Sequence, residues 1–245
     1  MNRDEVSRLA HADHPVASPL DDDAVRGLLA RAVVRGDERI LDLGCGGAGW
    51  LLHALVAWPS LRAEGVDLSE PALTQARETA NELGVLDRLV LHHQDVSRFS
   101  SAHLFDVVLC SGSTHAFGGL LPTLAAGRRY LVPGGRMLIG DGIWERPPTP
   151  EAIEMIGDFG DLATTVDAVI KDGWTPVAGH VSTRRELDDY EWAWTGSLAR
   201  WALAHRDHPD HAQALAVSSA HRSEWLRVYR DSWGFVTLVL RRTTD

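Results

Sequence analysis

The chain has 245 residues, 44% hydrophobic and 24% charged, the make-up of an ordinary globular protein with material for one sizeable core. A formal net charge of -10, with no lysine/arginine stripe, argues against a nucleic-acid partner. No apolar run reaches membrane-spanning length, the first residues lack a signal-peptide core, and Cys45 and Cys110 are too few for a disulfide framework, so a cytoplasmic location without a membrane partner is expected.

Residues 1–20 are polar and carry His11, His14, Pro15 and Pro19, which predicts an arm rather than a packed element. Asp21, Asp22 and Asp23 then open a helix with Val25, Leu28, Leu29, Ala32 and Val33 on one face, the acidic residues suiting the positive end of the helix dipole. From there strand and helix alternate. Strands are predicted over 39–43, 63–68, 89–92, 105–110 and 136–140. Helices are predicted over 50–58, from Ser69-Glu70-Pro71 to Gly84, and over 120–131, the last ended by Pro133-Gly134-Gly135. A helix over 162–171 and strands over 176–182 and 235–240 complete a doubly wound, seven-stranded, mostly parallel α/β sheet. Roughly fifty residues separate the last two strands, too many for a structureless loop in a compact domain. Trp194, Leu198 and Trp201, then Leu215, Trp225 and Val228, recur at about helical spacing and predict an inserted helical cap over residues 184–231. The expected organisation is an arm (1–20), an α/β domain (21–183 and 232–245) and that cap.

The sharpest signal is Ile40-Leu41-Asp42-Leu43-Gly44-Cys45-Gly46-Gly47-Ala48-Gly49-Trp50. Glycines after a buried strand let the main chain turn tightly and approach a ligand, and the next helix offers its free N–H groups. Gly44, Gly46 and Gly49 satisfy the bare G-x-G-x-x-G pattern, which by itself also suits a dinucleotide or a tight turn that binds nothing. Asp42 sharpens the reading, because a pyrophosphate gains nothing from a carboxylate there whereas a cationic ligand does. Asp67, ending the second strand, is placed to accept hydrogen bonds from both hydroxyls of a ribose, with Ser69 the better helix cap. Gln94-Asp95-Val96 follows the third strand, where a side-chain acceptor and a backbone N–H could read an adenine edge, or Asp95 could serve only the turn.

In order and spacing these features, with Pro-Gly-Gly before the fifth strand, resemble the class I S-adenosylmethionine-dependent methyltransferases over residues 25–141, and the final strand agrees with that family's terminal antiparallel strand. His14-Pro15, Ser113-Thr114-His115-Ala116-Phe117-Gly118-Gly119 and Arg146-Pro147-Pro148 look like a bacterial small-molecule branch of it. The resemblance implies a Rossmann-like fold, S-adenosylmethionine as cofactor and methyl transfer as activity. It implies that Gly44, Cys45 and Gly46 contact the methionine part, Asp67 the ribose, Asp95 with Val96 the adenine, and Cys110 or Ser111 the amino-acid moiety. Asp42, Gly49 and Leu68 complete the expected cofactor set.

A sulfonium already activates the methyl, so the protein has to align a small-molecule N, O, S or C acceptor in a dry pocket beyond the carboxyl ends of the strands. His115, in a Gly-flanked loop, is the candidate general base, or it packs on the cofactor. Asp141, Trp144, Glu191 and Trp194 join it as expected substrate contacts, although Asp141 could merely hold its loop and the tryptophans could be the small core of the cap. His205, His208 and His211 lie in a Pro-containing linker, so no metal is expected. Two rival classes stay open. A NAD-dependent oxidoreductase shares the glycine spacing, and a non-catalytic S-adenosylmethionine-binding sensor or assembly subunit would keep the glycine loop and Asp67 without a closed acceptor pocket.

Overall fold

The computed structural model describes residues 1–14 and 16–244; Pro15 lies outside the described residues. The polar-capped stripes of the sequence become helices at the expected places. Asp21 accepts a hydrogen bond from Ala24 N at 2.8 Å to start α2 (Asp22–Ala32), whose Val25, Leu28, Leu29 and Ala32 are buried. Ser69 caps α4 (Glu70–Glu82), with Pro71 in its first turn and Leu73, Ala76 and Ala80 facing the core.

The strands β1 (Arg39–Leu43), β2 (Arg62–Asp67), β3 (Leu89–His93), β4 (Phe105–Ser111), β5 (Leu131–Trp144), β6 (Trp174–Val181) and β7 (Trp233–Arg242) form one seven-stranded sheet. Its order is β3-β2-β1-β4-β5-β7-β6. Parallel pairing joins β1 to both β2 and β4, whereas β7 runs antiparallel between β5 and β6. Because the order reverses between β1 and β4, the chain diverges there and leaves a crevice at their carboxyl ends. The antiparallel β7 departs from the parallel 3-2-1-4-5-6 order of dinucleotide domains and speaks against the nicotinamide reading. One core layer joins α2, α3 (Gly49–Ala57) and α4 through Leu28, Leu29, Leu51, Leu55 and Leu73. The other lies under α5 (Leu120–Arg128) and α7 (Leu162–Lys171), around Leu124, Met137, Val169 and Trp174.

Three local expectations change. The helix expected to reach residue 131 ends at Arg128, because Tyr130 turns inward and its hydroxyl donates to Phe99 O at 2.6 Å. Strand β5 begins before Pro133-Gly134-Gly135, whose extra residues are absorbed where the pairing jumps from Phe105↔Leu131 to Val107↔Arg136. The segment read as an arm contains α1 (Arg3–Ala10), which packs on the cap through Leu9 against Leu198, Ala202 and Ala214. Its stripe is too short to stand out against a polar composition. A short helix, α6 (Pro150–Ile156), was also not expected. The cap is formed by α8 (Arg184–Ala204), α9 (His211–Glu224) and a π-helical turn over Trp225–Tyr229. Among the described residues, no helix is long and apolar enough to cross a membrane.

Gly65 on β2 allows the glycine turn to sit close. A Cβ there would lie 2.7 Å from Cys45 Sγ and 3.0 Å from Leu91. Gly65→Ala is expected to destabilise the fold by about 1–3 kcal/mol through overpacking. Gly27→Ala, in α2 where the added Cβ meets nothing within 4 Å, is expected to stabilise it by about 0.5–1 kcal/mol. Thermal melts of the two variants check both signs.

Candidate active site

The turn after β1 is fastened to the neighbouring strand by its own backbone. Gly44 N and Cys45 N both donate to Val66 O, at 2.9 and 3.0 Å. Gly44 has φ +86°, and a Cβ on it would meet Ser113 at 2.5 Å, so only glycine fits. Gly46 has φ +51° and faces open space, and Ala48, also left-handed at φ +58°, enters α3 without a side-chain cap. The first N–H groups of α3, which starts at Gly49, are therefore not taken by a capping side chain.

Two carboxylates stand beside this turn. Asp67 accepts from Gly46 N through Oδ2 and from Ser69 N through Oδ1, each at 2.8 Å. Each oxygen retains a further lone pair for a hydroxyl donor. Asp42 is buried, and burial first, then the nearby charge of Asp67, raises its pKa to about 7. Leu68, next to Asp67, is 63% exposed and offers a bare apolar surface. Val96 is buried, and Asp95 accepts from Ser97 N and Ser97 Oγ at 2.8 and 2.7 Å, so its side chain organises the turn after β3. Cys45 and Cys110 are buried free thiols, and burial pushes both further from ionisation.

Beyond β4 and β5 the residues expected to meet an acceptor fall into two groups. Ser111 ends β4 and is hydrogen-bonded through Oγ to Ser18 Oγ at 2.8 Å, which brings the N-terminal segment over the strand end. His115 is exposed in a single 3-10 turn over Thr114–Phe117. Asp141 faces that turn; burial raises its pKa, while hydrogen bonds from Gly142 N and the Thr114 hydroxyl and the charge of His115 oppose the rise. Trp144 packs with Ala152, Trp225 and Tyr229 in a small core, and its indole N–H is buried without a partner.

The second group lies in the cap. Glu191 is buried in the middle of α8, its Oε2 2.7 Å from His221 Nε2 and its Oε1 accepting from Tyr229 OH at 2.9 Å. Trp194 stacks on His221, ring centres 3.9 Å apart. His11 Nε2 lies 2.9 Å from Tyr190 OH, so the segment after α1 is tied to the same helix. Burial lowers the His11 pKa and raises those of Tyr190 and Tyr229. Glu191 and Trp194 are legible in the sequence, whereas His221, Tyr229, Tyr190, His11 and Ser18 were not singled out there. The one available signal was the spacing of Ala214, Ser218, His221 and Trp225, which puts a histidine on the inward face of α9.

A sheet reversed at β1/β4, an antiparallel β7, a glycine turn and a carboxylate ending β2 together define the class I methyltransferase architecture. The methyltransferase-domain family profile matches residues 40–135. Over residues 40–135 the chain carries a methyltransferase domain, and that match together with its structural neighbours supports a class I S-adenosylmethionine-dependent methyltransferase with S-adenosylmethionine as cofactor. It is similar to YjhP of Escherichia coli, 27% identical over 98% of this chain and 100% of that protein. The X-ray structure of YjhP superposes with a TM-score of 0.88 at 26% identity, covering 97% of this chain and 99% of that one. A methyltransferase of Geobacter sulfurreducens, crystallised with S-adenosylhomocysteine, superposes at 0.89 with 26% identity, over 97% and 98% of the two chains. A ubiquinone biosynthesis O-methyltransferase of Aromatoleum aromaticum is 33% identical over 102 residues, 41% of this chain and 42% of that protein.

The residues present fit this cofactor: an open glycine turn, a ribose-type carboxylate and a buried carboxylate toward a ligand that carries positive charge. Because a cationic ligand needs Asp42 ionised, affinity for S-adenosylmethionine is expected to rise as pH rises through about 7. Asp42→Asn is expected to lower that affinity and flatten its pH profile, read by calorimetry. In the ligand-free protein the raised pKa has the opposite effect on stability. Asp42 ionises earlier in the unfolded chain, so the folded state loses stability between the ordinary carboxylate range and about pH 7, and Asp42→Asn is expected to melt higher above that pH.

Proposed function

We propose that this chain moves the methyl group of S-adenosylmethionine to a small-molecule acceptor held between the carboxyl ends of β4 and β5 and the helical cap. The observation that carries the acceptor part is Glu191. This buried carboxylate sits in the middle of the cap with a histidine and a tyrosine bonded to it, a polar cluster set among aromatic side chains.

The donor supplies a methyl already activated on a sulfonium, so the residues need only bind, orient and keep water out. Asp67 would accept from the ribose hydroxyls, and the backbone of Gly44, Cys45 and Gly46 would line the methionine part, with Asp42 favouring positive charge nearby. Leu68 and Val96 would flank the adenine, beside the turn that Asp95 organises. The Ser18–Ser111 and His11–Tyr190 contacts hold His11 and Ser18 against the cap and the end of β4, where they would restrict water. His115 and Asp141 stand at the strand ends for an acceptor's polar group. Support from relatives is consistent with this, since the Aromatoleum protein that shares the core is described as an O-methyltransferase.

The test is incubation of the purified protein with methyl-labelled S-adenosylmethionine and a bacterial small-molecule extract, followed by mass spectrometry for products that gain one methyl. A labelled product supports the reading; tight cofactor binding with no labelled product would favour the sensor class. Asp67→Ala is expected to weaken S-adenosylhomocysteine binding by about 1.5–3 kcal/mol, measured by calorimetry. An unchanged affinity removes the ribose role. His115→Ala is expected to lower turnover while cofactor affinity is retained, and equal loss of both would reduce His115 to packing.

A further inference from the structure

Resting on the cofactor placement given above, we propose that His11 and His14 form a proton-operated latch: neutral, they hold α1 across the crevice, and charged, they release it and let the cofactor exchange.

What α1 closes follows from its two sides. On one, Leu9 packs against Leu198, Ala202 and Ala214 of the cap. On the other, α1 meets α4, where Arg8 lines an open cleft of about 450 Å³ together with Glu70, Pro71 and Thr74. Helix α4 starts just after Asp67, so α1 runs from the cap to the rim beside the ribose-type carboxylate. Farther along, Ala17 O lies 3.4 Å from the place of a Cβ on Gly112, and Ser18 Oγ is bonded to Ser111 Oγ. The N-terminal segment therefore also reaches the end of β4.

The two histidines stand between these stretches. His11 Nδ1 lies 2.7 Å from the Ser7 carbonyl, which only accepts, so the ring proton is on Nδ1 and Nε2 takes the Tyr190 hydroxyl proton at 2.9 Å. A second ring proton has to displace that hydroxyl. His14 is set edge-on to the same Tyr190 ring, centres 5.3 Å apart, and its Nδ1 is buried without a partner among the described residues. Burial pushes both histidines below the ordinary imidazole range. For His11 the charges of His14 and of His221 on α9 add to burial, while the Ser7 carbonyl and Glu191 on α8 oppose it. For His14 its own backbone, Asp22 on α2 and Asp189 on α8 oppose it. Glu191 offers little relief, because its two oxygens already hold His221 and Tyr229. Asp22 is exposed, with His53 of α3 3.7 Å away. Asp13, between the two histidines, takes Ser197 and Arg200 of α8, and that exposed ion pair is screened by salt and holds only weakly.

Docked, both rings stay neutral; released, they titrate near about 6.5. The released form binds more protons, so docking has its full strength above about pH 7 and weakens as pH falls below about 6.5. The limit is about tenfold per pH unit for each histidine.

The test is hydrogen–deuterium exchange of the full chain between about pH 8 and about pH 5.5, corrected for the pH dependence of free amides. Peptides of α1 are expected to lose protection about tenfold or more on acidification and to exchange ahead of those of β1. The double variant His11→Gln, His14→Gln keeps a donor and an acceptor at both places but takes no charge, so its α1 protection should stay level. In parallel, release of S-adenosylhomocysteine should quicken by a similar factor in the wild type and not in the double variant. Asp42 titrates in both proteins, so only the difference between them reports the latch. If the double variant fails to fold, His14→Gln alone carries the test, with the slope reduced to about the single-histidine value. A slope as steep as that of the wild type overturns the proposal. So does α1 protection that ignores pH, exchange of α1 no faster than that of β1, or an equal loss in the double variant. Release that ignores pH while α1 responds to it overturns the closure of the crevice. Failure to bind S-adenosylhomocysteine at about pH 8 is instead a failure of the cofactor placement, and the exchange data still decide the latch.

Discussion

Asp42 and Asp67 stand at the carboxyl ends of adjacent parallel strands, close enough that the charge of one opposes ionisation of the other. Neighbouring parallel strands bring this about by register: Asp42 pairs with Gly65, two residues before Asp67. Repulsion between two carboxylates costs stability in a ligand-free fold, and a positively charged molecule between them removes that cost. Gly46 N and Ser69 N partly neutralise Asp67, so the unrelieved charge problem is concentrated on Asp42. The glycine turn, the uncapped start of α3 and the strand reversal at β1/β4 all serve this corner. Its electrostatics favour a cation over a pyrophosphate.

The cap answers the crevice with a different chemistry. Its walls are aromatic, but Glu191, His221 and Tyr229 form a connected polar unit with each carboxylate oxygen engaged. Glu186 anchors the root of α8 in a similar manner, accepting from Thr183 N, from Asp21 N and from His180. The cap is thus fixed to the sheet edge at one end and to the start of α2. Buried carboxylates with both oxygens engaged specify one arrangement of helices rather than merely adding cohesion.

What the sequence reveals follows from distance along the chain. The β1 strand, the glycine turn and the start of α4 are coded by neighbours a few residues apart, and their boundaries are legible almost to the residue. The inserted cap is legible as helices, because Trp194, Leu198 and Trp201 recur locally. Its polar heart is not, since Glu191 meets His221 thirty residues on, and His11 meets Tyr190 across 179 residues. The packing of α1 is hidden for the same reason: its apolar side is short and its partners, Leu198 and Ala214, lie on the far end of the chain. Trp144 illustrates a further limit, because the sequence leaves it beyond the strand expected over 136–140, whereas it ends β5 and only packing shows that its ring fills a small core.

The Ser18–Ser111 and His11–Tyr190 contacts give the opening segment two docking places, one of them in the final quarter of the chain. During synthesis the early segment has nowhere complete to settle until α8 has left the ribosome, long after β1 to β5 can form their parallel sheet. The cover over the end of β4 is therefore completed only after the strand it covers.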